Sequence, residues 1–210
     1  MRKGALVLCG GLSTRMGVDK ASLPFGPEAM LQRVVRLVSQ CVPNTQIVVV
    51  SGTEQTLPDL HRNIRIVQDR TAERGPLEGI SVGLKELESQ ADAIAIVTCD
   101  VPLLVPAFVE RLFSWLGDFD AVVPCDTTHV HPLSGVYRPA VRSRVDQMLD
   151  SNQLKVRSLL ERIRTREIST HEFLDVDPEL WSLRNLNHPD EYERALASAG
   201  FVAPNDSHAT

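Results

Sequence analysis

The chain lacks any apolar run that approaches the ~18 residues a membrane-spanning helix needs. Its 27 acidic side chains outnumber the 22 basic ones, so the formal net charge is −5 at pH 7. That balance argues against a general nucleic-acid-binding surface. The basic start, Met1-Arg2-Lys3, precedes an apolar stretch that is too short for a secretory signal. We therefore expect a cytoplasmic protein that binds neither a membrane nor a nucleic acid.

The four cysteines, Cys9, Cys41, Cys99 and Cys125, include no Cys-x-x-Cys pair. This spacing gives little support for a zinc site or a redox dithiol. Four free thiols suit a reducing compartment, which again favours the cytoplasm. Cys9 and Cys99 each lie at the end of a predicted strand, and we expect both to be small buried side chains.

No internal repeat and no linker rich in proline, glycine or serine divides the 210 residues. Hydrophobic residues make up 43% of the chain, which is enough for a continuous core. The length suits a single open α/β sheet. We predict one domain over residues 1–200 and a flexible C-terminal tail over residues 201–210.

Short runs rich in valine, isoleucine and alanine alternate with segments of helical periodicity. This pattern predicts a three-layer, Rossmann-like α/β domain with a mostly parallel central sheet and helices on both faces. Right-handed crossovers would bring the loops after the strands to one edge, including Gly10, Ser51, Asp69 and Asp100. The predicted strands are Ala5–Cys9, Ile47–Val50, Ile64–Val67, Ala93–Val97, Ala121–Val123 and Leu133–Tyr137. The predicted helices are Glu28–Cys41, Leu77–Glu88, Pro106–Leu116 and a final helix from Pro189 to Ala199.

A glycine-rich loop follows the first predicted strand, with Gly10-Gly11 at its start and Arg15, Gly17 and Lys20 beyond. Backbone N–H groups in such a loop, together with two cationic side chains, bind polyphosphate. The Walker pattern is absent because Lys20 lies three residues past Gly17 and is followed by alanine. The dinucleotide fingerprint is absent because the glycines lack the G-x-G-x-x-G spacing. The loop predicts a nucleotide-binding protein of another kind.

Two aspartates come just after predicted strands. Asp100 follows the strand that ends at Val97, and it lies at the same predicted edge as the glycine-rich loop. Mg²⁺ is commonly held by one or two carboxylates plus substrate phosphates, so Asp100 suits a magnesium site. The alternative is a helix N-cap or turn residue before Pro102. Asp69 ends another strand, and by its position alone it could be a simple cap for the segment that follows.

Five segments carry a family resemblance, and they occur in the family's order. They are Leu8–Lys20 with Leu23-Pro24, Gly75–Ile80, Cys99–Pro102, His131–Leu133 and Asn185–Pro189. The first resembles the signature of nucleotidyltransferases that make sugar nucleotides and related pyrophosphates. Together the segments most resemble the molybdenum cofactor guanylyltransferases, which join GMP to molybdopterin.

The resemblance implies roles for the residues at matching positions. Catalytic roles would belong to Arg15, Lys20 and Asp100, with Asp100 also the Mg²⁺ ligand. The GTP-binding residues would be Leu8, Cys9, Gly10, Gly11, Lys20, Ser51, Asp69 and Asp100. Some relatives carry asparagine in place of Ser51, and serine has less reach toward the nucleoside.

The acceptor substrate is expected toward the C-terminal third. The resemblance assigns Asn185 and Asn187 to the acceptor side, and residues two apart on an extended segment point the same way. Asn187 is alternatively a helix cap or turn residue. His131 and the basic Arg157 are further candidates for contact with the phosphate of the pterin.

The implied reaction transfers GMP from GTP to the terminal phosphate of molybdopterin and releases pyrophosphate, with Mg²⁺ as the cofactor. Gly10-Gly11 favours guanine, because guanylyl members of the family tend to carry Gly-Gly where cytidylyl members carry Ala-Gly. Transient contacts with cofactor-delivering and molybdoenzyme-maturation proteins would follow. The alternatives are a nucleotidyltransferase that uses CTP or a sugar phosphate, a non-catalytic nucleotide-binding protein, and a redox or metal protein.

Overall fold

The computed structural model describes residues 1–10 and 19–202. Gly11, Arg15, Gly17 and residues 203–210 lie outside this part of the chain, and so do the predictions made for them. Among the described residues, no helix has the length and apolar character of a membrane span.

Nine strands and six α-helices make up the regular structure of the described residues. The strands are β1 (Lys3–Leu8), β2 (Pro24–Phe25), β3 (Glu28–Ala29), β4 (Ile47–Ser51), β5 (Arg65–Gln68), β6 (Ala93–Thr98), β7 (Ala121–Cys125), β8 (Gly135–Tyr137) and β9 (Thr165–Ser169). The α-helices are α1 (Met30–Val38), α2 (Pro76–Leu87), α3 (Pro106–Trp115), α4 (Arg142–Asp150), α5 (Val156–Leu160) and α6 (Pro189–Ser198). A short 3₁₀-helix, Lys20–Ser22, leads into the ribbon of β2 and β3.

Seven strands form one sheet in the order β5-β4-β1-β6-β8-β7-β9, and β8 alone runs against its neighbours. This arrangement confirms the predicted mostly parallel α/β fold. In the centre, Leu8 of β1 is opposite Val50 of β4 and Thr98 of β6. The parallel strands therefore end side by side, and the segments after them share one edge of the sheet.

Both faces of the sheet are covered by helices. Alternate residues of β1 pack into two different cores: Ala5 and Val7 into the one with α1 and α3, Leu6 and Leu8 into the one with α2, α4 and α5. Burial on both faces explains why the central strands are continuous apolar runs rather than alternating ones.

The strands and helices that were not predicted have weaker sequence signals. Strand β9 is an edge strand in which only Ile168 is buried. Helix α4 has three buried residues among charged ones. The predicted helix from Glu28 begins instead at Met30, because Glu28 and Ala29 pair with Phe25 and Pro24 across the ribbon.

A third, smaller core attaches α6 beside the ribbon. Phe25 makes edge-on contacts with the rings of Tyr192 and Phe201, at centroid distances of 6.2 and 5.9 Å. Phe201, which the sequence assigns to the tail, is thus packed against the domain. Leu186 belongs to the same core, so the segment that precedes α6 is fixed against the strand-end edge.

Candidate active site

A cavity of about 290 Å³ opens at the carboxyl edge of the sheet. It collects residues that are far apart in sequence, from β1, from the segments after β5 and β6, and from the segment before α6. The lining residues from the predicted nucleotide and acceptor sites are Leu8, Cys9, Gly10, Lys20, Asp69, Asp100, Asn185 and Asn187. The cavity is also lined by Val50, Gly75, Pro76, Gly79, Thr98, Cys99 and Leu133.

Lys20 and Asp100 form an ion pair in this cavity. Lys20 Nζ lies 3.1 Å from Asp100 Oδ2 and donates to Asn187 Oδ1 at 2.7 Å. Only 16% of the Lys20 side chain and 13% of the Asp100 side chain are exposed. A largely desolvated cation and carboxylate interact more strongly than a surface pair, because less water screens them. The arrangement presents a fixed positive charge next to a carboxylate.

The other oxygen of Asp100 is held by neutral donors. Thr98 Oγ1 donates to Asp100 Oδ1 at 2.6 Å, and Asn185 Nδ2 donates to the same oxygen at 3.0 Å. Asn185 Nδ2 also lies 3.4 Å from Thr98 Oγ1. These contacts fix the carboxylate plane and leave Oδ2 on the side of Lys20.

The two asparagines reach this centre because the segment that carries them is extended. Leu186 lies between them, is buried, and donates its backbone N–H to the Asp100 carbonyl at 2.9 Å. Asn185 and Asn187 therefore point to the opposite side, as predicted from their spacing. The Asn185 side chain contacts Asp100 and Thr98, and that of Asn187 contacts Lys20 and the Asn185 carbonyl.

Asp69 occupies another wall of the cavity, between two glycines. A Cβ atom at Gly10 would lie 3.1 Å from Asp69 Oδ2, and one at Gly79 would lie 3.3 Å from Asp69 Oδ1. Among the described residues, the buried Oδ1 has no hydrogen-bond partner. Burial, with a smaller contribution from the charge of Glu78, raises the pKa of Asp69 to about 6. The Oδ1 atom of Asp69 is therefore available at the cavity wall to accept a hydrogen bond from a ligand.

Cys9 and Cys99 line part of the cavity wall, and both are buried and have free thiols, as predicted. A hydrogen bond with the Cys99 thiol, together with burial, raises the pKa of Cys9 well above its ordinary value. A thiol held in its neutral form is a poor nucleophile and a poor metal ligand. Both cysteines pack as small side chains in the same hydrophobic core, just after β1 and β6.

Comparison with known proteins decides the family. Residues 5–168 match the MobA-like NTP transferase domain family. The chain belongs to the MobA-like NTP transferase family. A relative from Methanothermobacter thermautotrophicus, named "Probable molybdenum cofactor guanylyltransferase", is 32% identical over 192 residues, covering 88% of this chain and 94% of that protein. A relative of the same name from Mycobacterium avium is 32% identical over 205 residues, covering 95% and 97% of the two chains.

Solved structures support the same fold for this nucleotidyltransferase. Molybdopterin-guanine dinucleotide biosynthesis protein A from Archaeoglobus fulgidus superposes with a TM-score of 0.77 at 22% identity, over 94% of this chain and 98% of that one. A Mycobacterium tuberculosis protein solved in complex with manganese superposes with a TM-score of 0.62 at 17% identity, over 94% and 100% of the two chains.

Three residues predicted for the site of this MobA-like transferase lie away from the described cavity lining. Ser51 is buried, and its hydroxyl lies 3.5 Å from the Val67 carbonyl. His131 lies in the segment before Leu133, with Nε2 at 3.3 Å from Asp126 Oδ2. Arg157 is exposed on α5. Their roles in nucleotide or acceptor binding stay predictions, as do those of Gly11 and Arg15.

Thr98 is a cavity residue that the sequence analysis did not predict and that hydrogen-bonds to a predicted one, Asp100. Thr98 lies two residues before Asp100. If the chain stays extended beyond β6, the two side chains point to the same side. That spacing was a usable signal, because a hydroxyl two positions from a carboxylate is well placed to donate to it. The contact between Lys20 and Asn187 had no comparable signal, since it depends on how α6 docks.

Proposed function

We propose that this protein is a molybdenum cofactor guanylyltransferase, which transfers GMP from GTP to the terminal phosphate of molybdopterin and releases pyrophosphate. The names of the relatives suggest this reaction. The observation that carries it is a single cavity that contains the Lys20–Asp100 pair and the partnerless carboxylate oxygen of Asp69. In this proposal the Lys20–Asp100 pair binds the triphosphate of GTP, and the Asp69 carboxylate binds the base.

Lys20 is the residue that we assign to the phosphates. The attacking group is a phosphate monoester, which is mostly a dianion at neutral pH because its second pKa is about 6. It needs no strong general base, and the main obstacle is the approach of one anion to another. Lys20, aided by Arg15 and the amides of Gly10 and Gly11 in our proposal, would neutralise the triphosphate and the departing pyrophosphate.

Asp100 suits a divalent cation, for which we propose Mg²⁺. Its Oδ1 is held by Thr98 and Asn185, while Oδ2 has only the Lys20 ammonium beside it among the contacts described. The described residues contain no group of three His, Cys, Asp or Glu side chains that could hold a metal by themselves. A hard cation held by one carboxylate, substrate phosphates and water fits this donor set. When bound, it would supply positive charge to the reacting phosphates.

Asp69 is our candidate for the guanine base. The Watson–Crick edge of guanine carries two adjacent N–H donors, and a carboxylate is an acceptor-only group that pairs with both. Gly10 makes this possible, because a Cβ there would lie 3.1 Å from Asp69 Oδ2 and would press on the carboxylate. In this proposal Gly10 therefore acts on the base through Asp69. Leu8, Cys9 and Ser51 complete the proposed nucleotide site.

The acceptor side remains a proposal based on charge and position. We assign His131 and Arg157 to the phosphate of molybdopterin, and Asn185 and Asn187 to the boundary between the acceptor and the reacting phosphates. A cytoplasmic location and transient contacts with cofactor-delivering and molybdoenzyme-maturation proteins belong to the same proposal.

The test is an assay with purified protein, GTP, Mg²⁺ and molybdopterin. We expect pyrophosphate and the guanine dinucleotide to appear together, and each omission to stop both. Release of pyrophosphate without the acceptor, or a dinucleotide formed only when a sugar phosphate replaces molybdopterin, would refute the proposed reaction. Replacing Mg²⁺ by Mn²⁺ in the same assay establishes which ion the site uses.

A further inference from the structure

The side chain of Gln55 connects both flanks of the glycine-rich loop. Its Nε2 donates to the Cys9 carbonyl at 3.2 Å and lies 2.9 Å from each carboxylate oxygen of Asp19. Its Oε1 accepts the backbone N–H of Gly52 at 3.0 Å. Cys9 precedes Gly10-Gly11 and Asp19 precedes Lys20, so one amide contacts the chain on either side of the predicted phosphate-binding segment.

Asp19 connects Gln55 to the short helix that begins with Lys20. Asp19 Oδ1 accepts the backbone N–H of Ala21 at 3.0 Å, which caps the 3₁₀-helix Lys20–Ser22. Lys20 is the first residue of that helix, and its Nζ reaches Asp100 and Asn187. The position of the catalytic ammonium therefore depends on where the Asp19 carboxylate is held.

We propose that Gln55 is a positioning residue that clamps the two flanks of the nucleotide-binding loop and so sets Lys20 and Gly10 in their places in the cavity. The inference rests on the proposed function for its kinetic consequences. Gln55 contacts the backbone of β1 and the carboxylate of Asp19 in the structure, and its effect on the reaction passes through these two groups.

The chemistry of the amide fits this role closely. Gly52 offers an N–H donor, whereas Cys9 offers a carbonyl and Asp19 a carboxylate, both acceptors. Only a side chain with an acceptor and a donor on one planar group satisfies all three at once. The bond to a charged carboxylate is also stronger than one between neutral groups. Glutamate, of the same shape, would place a second carboxylate against Asp19.

Four variants test the clamp: Q55A, Q55E, the double variant Q55E/D19N, and E54A as the matched control. Glu54 is the exposed neighbour of Gln55 in the same segment. Steady-state kinetics with GTP give kcat and KM. Hydrogen–deuterium exchange of the peptide containing Lys20–Ser22, measured without any ligand, reports on the helix cap directly and does not depend on which reaction the enzyme performs.

We expect Q55A to raise the KM for GTP and to lower kcat/KM about tenfold, which is the effect of losing one hydrogen bond to a charged group. We also expect Q55A to speed hydrogen–deuterium exchange in the Lys20–Ser22 peptide. Q55E should lower kcat/KM further than Q55A does, because the new carboxylate repels the carboxylate of Asp19. Q55E/D19N should recover at least about threefold over Q55E, since the amide that D19N introduces can donate to the new carboxylate. Simple loss of folded protein would lower kcat without raising KM, and E54A should match wild type.

The clamp is refuted if Q55A and Q55E keep the wild-type KM and the wild-type exchange. It is also refuted if D19N brings no recovery in the Q55E background, because a direct pair must respond to the second change. Failure of the proposed function has a different signature, namely wild-type protein that makes no guanine dinucleotide. In that event the exchange measurement still decides the role of Gln55.

Discussion

The ionised form of the Asp69 carboxylate lowers the stability of the folded protein. Its pKa of about 6 exceeds the reference value of 3.8 because of burial and the charge of Glu78. The native state therefore binds its proton more tightly than the unfolded state, and stability falls as the pH rises from about 4 to about 6. We predict that D69N stabilises the ligand-free protein at pH 8, on the order of 1 kcal/mol for a partly exposed group, and has little effect at pH 4.

Thermal unfolding at the two pH values measures this, with the exposed Asp118→Asn as the control. A stabilisation by D69N that is equal at pH 4 and pH 8 would contradict the account. The same variant should lose affinity for GTP, because the amide of asparagine places a donor where guanine also has donors. We therefore expect D69N to be more stable than the wild-type protein and to bind GTP more weakly, which is the pattern of a residue that binds a ligand and destabilises the fold.

Lys20 is expected to act mainly in the transition state. K20A removes the ammonium that lies 3.1 Å from Asp100 Oδ2, and we predict a fall in kcat/KM of about 10²–10³-fold. The fold should be retained, since Lys20 lies outside the three cores. The control is K85A, which removes an exposed lysine from α2. Turnover of K20A close to that of K85A would remove Lys20 from the mechanism.

Thr98 positions Asp100 without touching the substrate in our account. T98V removes the hydroxyl that donates to Asp100 Oδ1 at 2.6 Å and keeps the shape of the side chain. We predict about a tenfold loss of kcat/KM, on the scale of one charge-assisted hydrogen bond, and a higher Mg²⁺ concentration for half-maximal activity. T98S, which retains the hydroxyl, should restore both values. An unchanged Mg²⁺ requirement in T98V would show that Thr98 has no such role.

At the scale of elements, α2 lies unusually close to β1. A Cβ at Gly83 would lie 2.6 Å from Leu6 Cδ2, and Leu6 is fully buried in the core beneath the helix. We predict that G83A destabilises the protein by about 1–2 kcal/mol, because overpacking outweighs the better helix propensity of alanine. Denaturant unfolding measures this, and L6V should be less harmful in the G83A background than alone. A stabilising G83A would contradict the close packing.

The elements that sequence reasoning recovered are those with buried, continuous patterns. β1, β4 and β6 are apolar runs covered on both faces, and their predicted bounds differ from the observed ones by no more than two residues. Strand β9 was missed because four of its five residues are not buried. The ribbon of β2 and β3 was missed because each strand has two residues, too few to show a period.

The candidate site was predictable to the extent that it depends on strand ends. Gly10, Asp69 and Asp100 converge because parallel strands end together, and this follows from the order of strands and helices alone. The pairing of Lys20 with Asn187 depends instead on the third core, where Phe25 and Leu186 bring α6 and the ribbon together. The contacts of Gln55 lie in a segment without regular structure, where no periodicity guides a prediction.

At the scale of the whole molecule, the candidate site lies at one edge of the sheet, and three hydrophobic cores stabilise the fold. Strand order puts β1 inside the sheet, between β4 and β6, so the glycine-rich loop follows an interior strand. Lys20, which follows this loop, contacts Asp100 from the middle of the chain and Asn187 from near its end. The central claim is that this edge is a guanylyl-transfer site.

The most direct test of that claim is a competition assay. Wild-type protein is incubated with equal concentrations of GTP and CTP, together with Mg²⁺ and molybdopterin, and the dinucleotide products are separated by mass. We predict that the guanine dinucleotide predominates by at least about tenfold, the discrimination that one well-placed pair of hydrogen bonds supplies. A product that is mainly the cytosine dinucleotide would contradict the assignment of Asp69 and Gly10 to guanine.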